Sequence, residues 1–385
     1  NVLMQVIKSM AEDAEDETED DMVEINNVIR INTPHILLVP SYKDISFSNV
    51  KSIPKFKIRN SDLKRVREYV FRNNDSNLLL KHNITLTELN KIRLFLEDDE
   101  NFESVDIKTY SNLDILMFRL HRHIRIKDTE LAFREIDKDE DIVHFNKIKI
   151  SKDRYDSIVE KIEEIKEQQA NRKDVDEVLA DLTAGIITRE QASNYLRAND
   201  DIITEISEGE LKIKYIPEHY YMPVIMSELD KIDYITHIIK ETSEYKFVLY
   251  LESYLDQRKT KDAINEKYEW WMFSKIDETI DKIYIPYYND TGKRCKFKPD
   301  FIFWMQEKES NFYKVIFVDP KSTAFNDVNL KIEGYQRVFE KREEYEYGDK
   351  IIKPQLVLYN KDGAGKIAEN NRKYWASSME KIFFS

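Results

Sequence analysis

The chain has 385 residues, of which 41% are hydrophobic and 35% are charged, and its net charge is -13. This length is enough for two or three domains with cores of their own, and the high charge content favours helices. The single cysteine, Cys295, excludes an internal disulfide framework and a cysteine-based zinc site, and favours a reducing cytoplasm. No apolar run reaches the ~20 residues of a membrane helix, so we expect no membrane partner.

The negative charge is concentrated near the start of the chain. Nine acidic residues and no basic residue lie in residues 12–24. A block of like charges is usually a solvated connector, and an arm that mimics DNA is the sharper alternative. Residues 1–10 are predicted to end an apolar helix. Residues 1–50 are therefore grouped as the end of a helical region followed by an acidic connector.

Residues 51–242 are predicted to form a mostly helical intermediate domain. Ser61 can cap one helix, and Thr85 opens a second helix in which Glu88 stands at capping-box distance. A helical hairpin is predicted over 174–197, either as a helix-turn-helix DNA reader or as two helices packed on a neighbouring domain. The remaining predictions in this domain are helices at 112–124 and 129–136, strands at 144–150 and 211–216, and a long helix from Ser151.

Residues 243–385 are predicted to form an α/β domain. The order helix, three strands, helix, strand is typical of such folds. The predicted elements are a helix at 244–255, strands at 282–288, 301–304 and 315–318, a helix at 326–345 and a strand at 355–359.

Two of these strands carry acidic residues at one shared end. Pro299-Asp300 begins the first strand, and Asp319-Pro320-Lys321 closes the second. Strands joined by a short turn lie side by side, and the alternation of a strand places Asp319 and Lys321 on one face. Prolines at strand ends agree with these positions, because each removes one N–H from the ladder. We expect Asp300, Asp319 and Lys321 to converge at one end of a sheet; the alternative is surface charge at strand ends.

This combination suits a metal-dependent nuclease. Cleavage of a phosphodiester develops negative charge on the phosphate oxygens, and hard oxygen ligands hold Mg²⁺, or alternatively Mn²⁺, beside them. We expect Asp300 and Asp319 to bind the metal, and Lys321 to orient the attacking water or stabilise the developing charge. Sites of this kind usually add an acid from a preceding helix. Glu244 is the first choice for that metal ligand, and Glu252 is the reserve.

Basic side chains near this site predict a contact with DNA. Residues 293–298 hold four positive charges and no acid. We expect this loop to bind a DNA backbone, with solvated loop charge as the alternative. The predicted DNA-binding residues are Lys293, Arg294, Lys296 and Lys298 in the loop, and Lys331, Tyr335 and Arg337 on the following helix.

Two other patterns in the sequence do not predict a functional site. Gly363-Ala364-Gly365-Lys366 looks like half of a phosphate-binding loop, but Asn360 and Ile367 stand where the full pattern needs glycine and serine or threonine. The sequence therefore contains no ATPase P-loop. The histidines that lack a supporting cluster are predicted to be structural, namely His121, His123 and His144.

Several stretches carry a resemblance to a known family. They are His144-Phe145, His219-Tyr220-Tyr221-Met222-Pro223, Ser243-Glu244 with Phe247, Ile285-Pro286-Tyr287-Tyr288, Pro299-Asp300-Phe301, Asp319-Pro320-Lys321 and Lys331-Ile332-x-Gly334-Tyr335. Together they resemble the C-terminal region of a type III restriction endonuclease or a related superfamily 2 helicase–nuclease. That family often has glycine after the motif lysine, where this chain has Ser322.

The resemblance implies a PD-(D/E)xK, restriction-endonuclease-like fold, a mixed sheet flanked by helices, preceded by a mostly helical α+β region. It implies an endonuclease for double-stranded DNA in a bacterial, cytoplasmic restriction or phage-defence system. It also implies an ATP-driven helicase motor, upstream in cis or supplied in trans, and often a methyltransferase partner. Residues 1–50 would then be the end of the motor region and its acidic connector. ATP would act only through that motor. The other class of function is a catalytically silent module that keeps the nuclease fold and binds DNA or a partner.

Overall fold

The computed structural model describes residues 21–25, 30–31, 33–46, 53–105, 112–170, 175–200, 204–216, 221–229, 231–289, 293–320 and 322–385. Residues 1–20, which hold most of the acidic run, and Lys321 lie outside the described residues. The described part is mixed α/β, with helices and several sheets. Within these ranges, no helix is long and apolar enough to cross a membrane.

Helices occur in both the intermediate and the C-terminal parts of the chain. Their bounds are α1 Asn60–Arg72, α2 Asp75–His82, α3 Leu86–Glu97, α4 Leu113–Ile124, α5 Tyr155–Ala170, α6 Val175–Thr183, α7 Arg189–Asp200, α8 Thr242–Leu255, α9 Arg258–Lys267, α10 Val328–Phe339 and α11 Glu380–Phe384. Short 3-10 turns are found at Asp99–Asn101, His144–Asn146, Ser322–Ala324 and Glu369–Tyr374.

The strands belong to one large sheet and several small ones. Their bounds are β1 Met22–Glu24, β2 Arg30–Ile31, β3 Leu38–Ile45, β4 Phe56–Ile58, β5 Phe102–Ser104, β6 Asp128–Glu135, β7 Lys149–Ser151, β8 Glu205–Glu208, β9 Leu211–Lys214, β10 Tyr221–Met222, β11 Val224–Ser227, β12 Tyr268–Lys275, β13 Ile285–Tyr288, β14 Arg294–Phe297, β15 Phe301–Glu307, β16 Phe312–Asp319, β17 Tyr345–Tyr347, β18 Lys350–Tyr359 and β19 Trp375–Ala376.

Residues 53–105 and 112–124 form a helical unit with a hydrophobic core of its own. The capping box predicted at its third helix is confirmed. The Thr85 hydroxyl accepts from the Glu88 N–H at 3.2 Å, and the Glu88 carboxylate accepts from the Thr85 N–H at 2.8 Å. That backbone hydrogen bond, together with one from His121, lowers the pKa of the Glu88 carboxyl to about 2.

Residues 128–135 form strand β6, so the helix predicted at 129–136 is wrong. Thr129, Leu131 and Phe133 are buried while the residues between them are exposed, which is the period of two of a strand. β6 pairs antiparallel with β3 along its whole length. The strand predicted at 144–150 is in fact a 3-10 turn followed by the short strand β7.

A six-stranded sheet holds the acidic strands. Its order is β12-β15-β16-β18-β17, with β19 beside β18. β12, β15 and β16 are antiparallel neighbours, whereas β16 and β18 are parallel and are joined by a crossover that contains α10. The predicted pairing of the two acidic strands is confirmed, with Phe301 opposite Val318.

Both faces of this sheet are buried. On one face, Phe301 and Phe303 pack against Phe247 of α8. On the other face, Ile302 and Trp304 belong to the core that includes α10. Burial on both sides explains why β15 and β16 are nearly continuous apolar runs instead of alternating ones.

The predicted division into residues 1–50, 51–242 and 243–385 stays a prediction. The helical unit of residues 53–105 and 112–124 has a core separate from the other two hydrophobic clusters. By contrast, Ile216 and Met226 lie in the same hydrophobic cluster as Val248 of α8. The last strands of the predicted intermediate domain therefore pack with the α/β domain.

Candidate active site

Asp300 and Asp319 lie at the same end of the six-stranded sheet. Asp300 directly precedes β15, and Asp319 is the last residue of β16. Since Phe301 pairs with Val318, the antiparallel register carries Asp300 across from Asp319. Both residues are buried, with 5% and 4% of their surfaces exposed. Carboxylates brought together under burial repel each other unless positive charge lies nearby, so the position favours a cation.

Strand β12 brings a buried lysine to the same end. Lys275 is its last residue, and its ammonium lies 2.9 Å from Glu244 Oε2 and 3.0 Å from the Ile238 carbonyl oxygen. The end of the sheet that carries Lys275, Asp300 and Asp319 is called the carboxylate edge below. Lys275 was not predicted from the sequence.

Glu244, and not Glu252, reaches the carboxylate edge. Glu244 is buried in the first turn of α8. Glu252 lies two turns further along and binds Lys214 at 2.7 Å, and Lys214 also binds Glu205 at 2.6 Å. Glu252 is therefore part of a separate ion-pair network on the small sheet formed by β8, β9 and β11.

Two histidine–aspartate pairs hold the loop that follows β12. His237 Nδ1 lies 3.0 Å from Asp277 Oδ2, and His144 Nδ1 lies 2.8 Å from Asp281 Oδ2. Burial alone would raise the pKa of Asp277, but hydrogen bonds from His237 and Thr279 lower it well below its usual range. The prediction that His144 is structural agrees with its burial and its pairing with Asp281.

The turn after β16 is held by the loop at 360–367. The Thr323 hydroxyl accepts from Asn360 Nδ2 at 2.6 Å, and the Thr323 carbonyl accepts from the Lys366 N–H at 2.8 Å. Gly365 has a φ of 55° and lies so close that a Cβ would be 2.3 Å from the Thr323 carbonyl oxygen. This glycine-rich loop therefore supports the turn beside the carboxylate edge by close packing.

The predicted basic loop forms strand β14 of a hairpin with β13. Arg294 makes an ion pair with Asp44, and the Lys296 ammonium lies 4.5 Å from the centre of a tyrosine ring. Lys298 donates to two backbone carbonyls of the loop after β12, and burial lowers its pKa. Lys293 and Lys296 are exposed, so these two keep the predicted capacity to contact DNA.

The three DNA-binding candidates on α10 differ in exposure. Tyr335 is 3% exposed and stacks on Phe339 with ring centres 4.9 Å apart. The predicted contact of Tyr335 with DNA is wrong, because its ring is part of the core. Arg337 is half-buried over the Tyr288 ring at 4.6 Å. Lys331 is half-buried against two phenylalanine rings, at 5.1 and 5.2 Å.

Three exposed residues on the α8 side of the sheet were not predicted. Lys246 and Tyr250 lie one turn apart on the outer face of α8. The Lys361 ammonium lies 4.3 Å from the centre of the Tyr250 ring. Since Asp319 pairs with Leu358 in the parallel neighbour β18, Lys361 emerges at the end of the sheet that carries Asp319.

The three predicted metal ligands, Asp300, Asp319 and Glu244, are not brought together as one group. Among the described residues, no three or more His, Cys, Asp or Glu side chains are grouped closely enough to hold one. Glu244 is bound to Lys275. Asp300 and Asp319 carry carboxylate oxygens, which are the hard ligands that Mg²⁺ prefers. Lys321, the predicted third member of the catalytic set, lies outside the described residues.

Comparison with known proteins adds one similarity. Residues 235–367 match the model of a family described as the YagJ family. The match spans less than half of the chain, and includes α8, the carboxylate edge and the loop at 360–367. No curated protein and no solved structure matches the chain. None of these results names a restriction enzyme, so that resemblance stays a prediction.

Proposed function

We propose that the chain is the cutting part of a metal-dependent deoxyribonuclease, an endonuclease of PD-(D/E)xK type. The observation that carries the proposal is the register that brings Asp300 across from Asp319, both buried, at one end of the sheet. A further support is a mixed sheet with helices on both faces, in which β12 replaces the strand predicted at 282–288. That segment forms β13, which pairs with β14 outside this sheet.

Asp300 and Asp319 would hold Mg²⁺, with Mn²⁺ as a substitute. The bound ion would polarise the scissile phosphate and acidify a water molecule. The chain itself brings the two donors together by strand pairing, and it keeps their carboxylates out of bulk water. Because the local dielectric constant is low there, the carboxylates attract a cation more strongly than they would at the surface.

The proposed substrate is double-stranded DNA. Positive and aromatic groups flank the carboxylate edge, with Lys246, Tyr250 and Lys361 on the α8 side of the sheet and Lys331 at the start of α10. A duplex placed across the α8 side of this edge would meet the exposed ammonium groups of Lys246 and Lys361. Such contacts position the phosphate backbone without reading its sequence.

Restriction or phage defence is the proposed setting, and it rests on the family resemblance alone. In that setting a helicase motor, in cis or in trans, would use ATP to move DNA to this site. A methyltransferase or specificity subunit would supply sequence recognition. Addition of such a motor with ATP should raise the cleavage rate of the wild-type chain, and this is measurable on long linear DNA.

Cleavage of supercoiled plasmid DNA in Mg²⁺ or Mn²⁺ tests the proposed activity. Asp300→Asn and Asp319→Asn keep the size of the side chain but weaken metal binding, and each should lower the cleavage rate by more than about 100-fold. Asp349→Asn is the matched control, because Asp349 is exposed in the turn before β18, at the other end of the sheet. Equal cleavage by Asp319→Asn and the control would contradict the proposal.

A catalytically silent binding module is the second candidate function. One observation favours it, namely that Lys275 neutralises Glu244 and leaves two carboxylates for a metal ion. This candidate predicts that DNA is retained in EDTA and stays uncut in every divalent metal. Gel retardation and cleavage, measured on the same samples, separate the two functions.

A further inference from the structure

Lys275 and Glu244 form a buried ion pair at the carboxylate edge. Their side chains are 8% and 6% exposed, and the Lys275 Nζ lies 2.9 Å from Glu244 Oε2. The same ammonium donates to the Ile238 carbonyl at 3.0 Å. That carbonyl belongs to a segment that His237 anchors to Asp277. The ammonium is therefore held by α8 and by the segment before it.

Opening this ion pair is costly. Removal of one partner from a buried pair usually destabilises a protein by about 3–5 kcal/mol, because the other charge stays buried without compensation. A divalent cation that recruited Glu244 as a ligand would draw it away from Lys275. The ammonium would then remain beside the Ile238 carbonyl without its carboxylate. We therefore expect Glu244 to stay paired with Lys275 when a metal ion binds.

The sheet also separates Glu244 from Asp319. Lys275 alternates with Phe273, which lies in the core on the α8 face. Asp319 alternates with Phe317, which lies in the core on the α10 face. Strand alternation therefore directs Lys275 and Asp319 to opposite faces at this end of the sheet. This agrees with the lack of a cluster of three metal-binding side chains in the described part of the chain.

We infer that Lys275 is a built-in cation of this site with Glu244 as its counter-ion, so that a divalent cation binds Asp300 and Asp319 without Glu244. The inference rests on the proposed function. Lys275 is a positioning residue that acts through its charge. Its ammonium repels a nearby metal ion, and the negative charge of Glu244 offsets this repulsion. The pair is neutral as a unit, so removing both charges together should leave the metal affinity nearly unchanged.

Titration of the full chain with Mn²⁺, followed by electron paramagnetic resonance in the absence of DNA, tests this inference. Wild type should bind one ion per chain. Glu244→Gln should bind about tenfold more weakly and Lys275→Gln about tenfold more tightly, because each leaves one charge uncompensated near the ion. The double variant Lys275→Gln/Glu244→Gln should bind within about threefold of wild type.

The double variant distinguishes the two roles of Glu244. If Glu244 were a ligand, the double variant would bind Mn²⁺ more than about tenfold more weakly than wild type, because loss of a direct ligand is not offset by removal of the Lys275 charge. That result would overturn the inference and leave the proposed function standing. By contrast, wild type that binds no Mn²⁺, or binding that Asp319→Asn leaves unchanged, would overturn the proposed function itself.

Folding of each variant is checked by urea unfolding under the titration conditions. If the amide pair does not fold, Lys275→Met/Glu244→Leu provides the same comparison, because an apolar pair of similar volume often replaces a buried ion pair without loss of stability. Its Mn²⁺ affinity should again lie within about threefold of wild type. A loss comparable to that of Asp319→Asn would overturn the inference.

Discussion

A buried lysine lies at each end of the six-stranded sheet, and the two lysines have different partners. At the carboxylate edge, Lys275 lies 2.9 Å from Glu244. At the other end, Lys314 donates to the Ser385 carbonyl at 2.6 Å and to a tyrosine hydroxyl at 3.3 Å, while Glu307 lies 3.6 Å away. The carboxylate nearest to Lys275 is therefore closer, at 2.9 Å, than the side-chain carboxylate nearest to Lys314, at 3.6 Å.

This difference affects the pKa of the lysine at the far end. Burial lowers the pKa of Lys314 from its ordinary value of 10.5 to about 8, and the nearby Lys267 lowers it as well. The carboxylate edge, in contrast, supplies an acid for Lys275 and adds Asp300 and Asp319. Among the described residues, the buried carboxylates of this sheet lie together at the carboxylate edge. This grouping marks the carboxylate edge as a candidate functional site.

Replacement of Lys275 by Met should cause the largest loss of stability. Glu244 would stay buried without its ion-pair partner, so we expect the free energy of unfolding to fall by about 3–5 kcal/mol. Urea unfolding at pH 7 measures this change. Lys275→Met/Glu244→Leu should recover most of it. A loss below about 1 kcal/mol in the single variant, as for an exposed pair, would remove the contrast between the two ends.

A rise in pH should stabilise the protein through Lys314. The folded protein releases this proton near pH 8, whereas the unfolded chain keeps it up to about the ordinary pKa of 10.5. The unfolded state binds more protons between these pH values, so stability rises with pH in that window, by about 3 kcal/mol at most. Urea unfolding midpoints between pH 7 and 10 measure the effect.

Lys314→Met is the control for this pH dependence. It should lack the stabilisation between pH 8 and 10 that wild type shows. At pH 7 it should be the more stable protein by about 1 kcal/mol, because the relieved cost of burying the charge exceeds the lost hydrogen bonds. Parallel pH profiles for the two proteins would show that Lys314 is not the group responsible.

Lys361→Ala should have the smallest effect, on DNA binding at the carboxylate edge. The change removes one exposed ammonium beside Tyr250, so we expect the Kd for a duplex to rise a few-fold and the salt dependence to fall by about one ion. Fluorescence anisotropy at several salt concentrations measures both. Lys308→Ala, an exposed lysine at the far end of the sheet, is the control and should bind as wild type does. Equal effects of the two changes would argue against DNA binding at this edge.

Local patterns in the sequence predict much of the fold. The capping box at Thr85 depends on residues three positions apart, and it is present. The acidic strands are bounded by Pro299 and Pro320, and they pair as expected. The helix predicted at 129–136 is wrong because the segment is too short for its hydrophobic period to distinguish a helix from a strand. Pairing with β3, which lies far earlier in the chain, makes it a strand.

The candidate site was also predictable only where it depends on residues close together in the sequence. Asp300 and Asp319 stand at the ends of two adjacent apolar runs, so their proximity follows from one short turn. Lys275 closes an apolar strand in the same way, but its partner Glu244 lies 31 residues earlier, and only the packing of α8 on the sheet brings them together. The burial of Tyr335 likewise depends on how α10 packs, which the spacing of residues within the helix does not reveal.

The position of a bound Mn²⁺ ion tests most directly whether the carboxylate edge is a metal site. Crystals of the chain soaked in Mn²⁺, with anomalous scattering measured near the manganese edge, would locate the ion. We predict one peak at coordination distance from both Asp300 and Asp319, with Lys275 still bound to Glu244. A peak coordinated by Glu244, or peaks that all lie away from the carboxylate edge, would contradict this.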